Sequence, residues 1–131
     1  MSDHTVKAFD EDLSELRGLI AQMGGMAEEA IADAMDALKR HDLESAARIV
    51  AGDKRIDELE MEVERLAVRL IALRAPMADD LREVVAALKI AGVIERIGDH
   101  ATNVAEMVYF AATGDHLHER EHGASVPIIG G

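Results

Sequence analysis

The sequence predicts an all-α fold, an elongated antiparallel three-helix bundle, and three observations carry that prediction. Aromatic residues make up 2% of the 131 positions, while Ala, Leu, Ile, Met, Glu and Arg abound. This composition lacks the aromatic and β-branched residues that the half-buried strands of a sandwich or barrel prefer. Apolar residues also recur at spacings of three and four through three long stretches, the signature of helical faces. The breaks between those stretches are only a few residues long, which forces neighbouring helices to run antiparallel. A chain of this length makes one domain, read here as residues 1–114, followed by a tail over residues 115–131.

The first helix is read over Asp3–Arg40, with Phe9, Leu13, Leu16, Ile20, Met23, Ala27, Ala30, Ala34 and Leu38 on one face. Gly24 and Gly25 interrupt it, each costing roughly 1 kcal/mol relative to Ala in a helix interior, and they mark either a kink or a close helix contact. Asp42 is the expected cap of a second helix that reaches Arg74, with Leu43, Ala46, Ile49, Ile56, Leu59, Val63, Leu66, Leu70 and Leu73 on its stripe. Pro76 is expected to be the first residue of the third helix, where its missing N–H does no harm. Asp79 and Asp80 then stand in the first turn, beside the positive end of the dipole. That helix runs through Val84, Leu88, Ala91, Ile94, Ile97, Ala101, Val104 and Val108 to a stop at Gly114. Residues 115–131 show no periodicity and are expected to be disordered. Met23, Met26, Met35, Met61 and Met107 are read as core fillers. The Ala-rich stripe of the first helix buries little area per residue, so part of the apolar surface is expected to need a partner subunit.

With no Cys, disulfide scaffolds, thiolate zinc fingers, iron–sulfur clusters and cysteine nucleophiles are excluded. Twenty-six acidic residues against 14 basic ones leave a net charge of −12, which repels nucleic-acid phosphates and anionic lipid at long range. Nucleic acid is therefore not an expected partner. The amino terminus has no signal-peptide pattern, and no stretch offers about 18 uncharged apolar residues, so a soluble cytosolic protein is expected. There is no Ser/His/Asp order, phosphate-binding glycine loop or nucleophile elbow, and no enzymatic activity is expected.

One constellation carries chemistry. Glu95 and Asp99 in ERIGD, like Asp53 and Asp57 in DKRID, are four residues apart and so share a helix face. About a turn centred near residue 76, positions 95 and 57 are equally distant, as are 99 and 53, so the two pairs fall at one level. The same count across the first turn brings Glu28 and Glu29 into the neighbourhood. Clustered carboxylates either splay into water or are neutralised by cations. Oxygen-only donors suit hard ions such as Ca²⁺, Mg²⁺, Mn²⁺ or Fe³⁺, while Lys54, Arg55 and Arg96 offer ordinary salt bridges instead. A ferritin-like di-iron core would need Glu-x-x-His elements at core positions, and there are none. His100 is read as exposed or capping rather than ligating, and His116, His118 and His122 as adventitious chelators.

The runs APMADDLREVVAALKIAG and IERIGDHATNVAEM, with DKRIDELE upstream, resemble the PhoU family of phosphate-uptake regulators over residues 3–115. That resemblance implies an all-helical cytoplasmic protein built of three-helix repeats. It would restrain the phosphate-starvation response and act with the phosphate ABC transporter and its sensor kinase. It also implies surface iron or zinc, with manganese or magnesium as further options, at Glu95 and Asp99. Asp53, Asp57 and Glu29 are added as further ligands. Asp80 and Arg82 match the Pro-Met-x-x-Asp-Leu-Arg element and are assigned to partner contact. Complete members have two tandem repeats, and this chain reads as one. Its start resembles the start of a member and its end resembles the end of the second repeat, which suggests a join near residues 88–98. A single repeat is expected to form a homodimer. The alternatives are a helical metal-binding or storage protein with no signalling role, and an inactive, internally deleted remnant.

Overall fold

The structure is a computed structural model that describes residues 3–117, with side chains from Val6 onward. Three helices, α1 (Asp3–Arg40), α2 (Leu43–Arg74) and α3 (Asp79–Thr113), pack against one another in all three pairings. No strand occurs among the described residues. At 1.5 Å per residue each helix is about 50 Å long, so the bundle is elongated, as the periodicity requires.

The first turn forms as the sequence dictates. The backbone N–H of Ser45 donates to Asp42 Oδ1 at 3.1 Å and the Ser45 hydroxyl donates to Oδ2 at 2.8 Å, which satisfies a donor that the start of α2 leaves orphaned. The second turn differs from expectation. Pro76 does not open α3. It is buried in the connection, and the helix begins three residues later at Asp79. A residue before proline is pushed out of the right-handed helical region. Ala75, the residue before it, leaves the helix in the left-handed conformation, φ 43°, a common helix stop, with its N–H on Ile71 O at 3.1 Å. Ala78, at φ 51°, gives α3 no side-chain cap, and Asp79 and Asp80 supply negative charge in the first turn instead.

Gly24 and Gly25 do not break α1, which is continuous through them. A Cβ on Gly24 would make only ordinary contact, 3.9 Å from Ile94 Cδ1, and one on Gly25 would meet nothing. Gly114 ends α3 with φ 78° and its N–H on Phe110 O. The chain then turns back, so that His116 stacks on Phe110 with centroids 4.5 Å apart and Leu117 is buried. These positions belong to the packed structure rather than to a tail; His118, His122 and the remainder lie outside the described residues.

The core divides into two clusters. The larger gathers Leu16, Met23, Leu59, Val63, Leu70 and Val84 toward the α2–α3 turn. The smaller gathers Ala34, Ala37, Ala46, Val50, Ala105 and Leu117 toward the α1–α2 turn. Met23 fills the core as expected and Met26 is half-buried against it. Met35, Met61 and Met107, however, are about half exposed, as are Leu38 and Leu73. Over helices this long, a strict three-and-four spacing drifts around the helix, so Leu38 and Leu73, counted on the inner stripe, emerge at its edges, while Met35, Met61 and Met107 stand off those stripes.

Candidate functional site

The acidic site lies where the two clusters part, on the seam between α2 and α3. Each carboxylate projects from a helix whose neighbouring turns are anchored in the core: Ile56 and Leu59 on α2, Gly98 and Ala101 on α3. The seam is narrow there. A Cβ on Gly98 would approach Ile56 Cδ1 to 2.9 Å, so the missing side chain allows the two backbones to approach closely.

Asp53, Asp57 and Asp99 each bring one oxygen to within 4.8 Å of the others. The level matching across the second turn therefore holds. Glu95 stands beside them, near enough to Asp57 and Asp99 for a proton on one carboxyl group to be shared with another. Glu29 is exposed on α1 and lines a cleft of about 280 Å³ with Asp33, Arg48, Asp53 and Thr102. It borders the site without joining the three converging oxygens. Two residues escaped the sequence reading. Glu60 extends the acidic row by one turn, its Oε2 3.9 Å from where a Cβ on Gly92 would stand. Thr102 is the one buried polar side chain among the described residues and hydrogen-bonds Asp53. Thr102 stands three residues beyond Asp99, so helical spacing would have found it; Glu60 breaks the four-residue spacing that was searched.

Desolvation and mutual repulsion shape the charges. Burial, then the charges of Asp57 and Asp99, raise Asp53 to about 6 against the pull of the Thr102 hydroxyl. Glu95 rises to about 7, first through burial and then through its hydrogen bond to and repulsion by Asp99. Asp57 and Glu60 are raised too, again chiefly by burial. The alternative of neutralisation by salt bridges is not seen: Arg55 pairs with Glu58 at 3.3 Å, and no ion pair of Lys54 or Arg96 occurs among the described residues. Asp53 Oδ1 is buried with no hydrogen-bond partner, a condition that calls for an explanation. Converging oxygens, raised pKa values and an orphaned acceptor together fit a hard cation.

Asp80 and Arg82 are exposed at the start of α3, and Arg82 pairs with Asp79. Met77, in the connection just before α3, is 79% exposed, so this end of the bundle offers a mixed charged and apolar tip. His100 is exposed, as read.

The structure is an α-helical bundle with a carboxylate-lined seam, and among the described residues no helix is long and apolar enough to cross a membrane. The PhoU domain model matches residues 20–108, and the chain belongs to that family. Similar proteins include a phosphate-specific transport system accessory protein PhoU homolog of Zymomonas mobilis, 57% identical over 105 residues, which are 80% of this chain and 44% of that protein. Homologs of the same name from Caulobacter vibrioides and Rhizobium meliloti are 48% and 40% identical, covering 89% and 96% of this chain and 51% and 55% of theirs. The chain thus spans about half the length of the curated relatives it matches.

Proposed function

We propose that this chain is a non-enzymatic regulator of phosphate uptake and phosphate-starvation signalling, acting in the cytoplasm as an adaptor to the phosphate ABC transporter and its sensor kinase. Family membership supports the phosphate-transport setting. The observation that carries the rest is the convergence of Asp53, Asp57 and Asp99 beside Glu95. A divalent or trivalent cation there would relieve the repulsion and give Asp53 Oδ1 a partner. Iron or zinc is the expected occupant, with manganese or magnesium as alternatives, and Glu29 stands near enough to add an outer contact. Asp80, Arg82 and the exposed Met77 form the surface assigned to partner proteins, and two copies of the single repeat associate as a homodimer.

Native mass spectrometry of unchelated protein reads metal content and oligomeric mass together. The expected result is a dimer that retains metal and loses it in Glu95→Ala/Asp99→Ala. Capture of the transporter's ATPase subunit and of the sensor kinase on immobilised protein tests the adaptor role. Capture should weaken in Asp80→Ala/Arg82→Ala; its absence in the wild type overturns the adaptor reading, and metal-free protein overturns the metal reading.

A further inference from the structure

The face between α1 and α3, opposite α2, is apolar along most of its length. Two hollows lie on it, one of about 270 Å³ walled by Leu13, Ile20, Ala86 and Ile90, the other of about 300 Å³ walled by Ile31, Met35, Ile97 and Val104. Ile31, Met35, Ile90, Val93 and Ile97 are 36% to 49% exposed. From Leu13 to Leu38 at 1.5 Å per residue the face is roughly 40 Å long, and two packed helices make it about 20 Å wide. The whole face is on the order of 800 Å², which is what each partner contributes to a stable interface.

Its charges point to the occupant. Helices α1 and α3 run in the same direction, because each is antiparallel to α2. Arg17 on α1 bonds Glu83 on α3, and Gly24 faces Ile94, so Glu28 on one edge of the face is level with Arg96 on the other. Glu28 continues the α1 stripe of Gly24, Ile31 and Met35, while Arg96 lies between Val93 and His100 on α3. Both are exposed, and no ion pair of either occurs among the described residues. A two-fold axis parallel to the helices would place α1 of one copy over α3 of the other. Glu28 would then meet the partner's Arg96, and the relation would repeat by symmetry. Resting on the reading above that two copies associate, we infer that the α1–α3 face is the self-association surface, closed by apolar packing along its length and by reciprocal Glu28–Arg96 pairs at its edges.

Light scattering on the 131-residue chain over a dilution series tests this. The wild type should run at twice 14.2 kDa. Ile90→Asp and Met35→Asp, both at exposed positions, should run as monomers with unchanged helical circular dichroism. Glu28→Arg and Arg96→Glu should each weaken dimerisation by about tenfold or more, and the double reversal should restore it. A monomeric wild type overturns both the dimer and the face. A dimer indifferent to Ile90→Asp and Met35→Asp overturns the face while leaving the dimer standing, and single reversals without effect, or without mutual rescue, overturn the paired edges. If the face instead serves another protein, the wild type is monomeric and only a heterologous complex is sensitive to Ile90→Asp.

Discussion

Ile56 packs so closely on Gly98 that a Cβ at residue 98 would stand 2.9 Å from its Cδ1 and 3.8 Å from Asp53 Oδ1. Gly98 thus sets the spacing of the seam that carries the carboxylates. Ala is the better helix former by roughly 0.5–1 kcal/mol, whereas an extra methyl in a packed seam costs about 1–3 kcal/mol. Gly98→Ala should therefore be neutral to destabilising by up to about 2 kcal/mol in urea unfolding, and should weaken any cation bound at Asp53. Gly25→Ala, in open space on the same type of helix, should stabilise by about 0.5–1 kcal/mol. If Gly98→Ala stabilises as much as Gly25→Ala, Gly98 has no spacing role.

Most of the fold was readable because helices depend on local signals. Asp42 announces the start of α2, Gly114 the end of α3, and apolar spacing places Leu16, Leu59 and Val84 in the core. Pro76 misled because two local rules compete there: proline favours a helix's first position, yet it also forbids the helical conformation to the residue before it. Met35 and Met107 stand one position off the stripes through Ala34 and Val108, and Met61 lies opposite Leu59 and Val63, so the spacing already turned them outward and reading them as core fillers put residue type above position. In the site, arithmetic across the turn found Asp53, Asp57, Glu95 and Asp99. The raised pKa values were out of reach, because they depend on how deeply each carboxylate sinks between α2 and α3.

Two interhelical ion pairs offer a contrast between proximity and burial. Arg17 and Glu83 approach to 2.8 Å but are 63% and 49% exposed, whereas Arg74 and Asp12 stand 3.5 Å apart and are 27% and 20% exposed. Water screens the first pair, so Arg17→Ala should change unfolding free energy by less than about 0.5 kcal/mol. Asp12→Ala leaves the half-buried Arg74 guanidinium, whose Nε already lacks a hydrogen-bond partner, without its counter-charge. A loss of about 1–2 kcal/mol is expected in the same titration. Equal effects would show that the difference in exposure has no energetic weight.

Asp99 is the charge common to the cluster: its proximity raises Asp53, Asp57, Glu60 and Glu95 alike. Asp99→Asn should therefore stabilise the metal-free protein, by up to about 1 kcal/mol once solvent screening is allowed for, while abolishing cation-dependent stabilisation. Thermal unfolding with chelator and with added Mn²⁺ separates the effects. The wild type should gain from the ion by mass action, and the variant should start higher and gain nothing. An Asp99→Asn protein less stable than wild type in chelator would mean that hydrogen bonds to Asp99 outweigh its repulsion.

The same electrostatics fix the sign of the pH dependence. Asp53 at about 6 and Glu95 at about 7 hold protons more tightly in the fold than in the unfolded chain, so the native state binds more protons and stability falls as pH rises. Their contribution is fully present below the unfolded carboxyl range, near pH 4, and is lost as pH rises through 6 and 7. Asp42 acts in the opposite sense. Its hydrogen bonds from the Ser45 side chain and backbone lower its pKa, so its contribution is present above the unfolded value and is lost in stronger acid. The metal-free protein should therefore be most stable in mildly acidic solution, near pH 4–5, with a melting temperature that declines toward pH 8. Asp53→Asn should flatten that decline. A bound cation favours the deprotonated carboxylates, so metal should flatten it too, with protons released on binding. Melting curves in chelator from pH 4 to 8 that stay level, or rise, would show that the cluster is ionised without penalty and needs no cation.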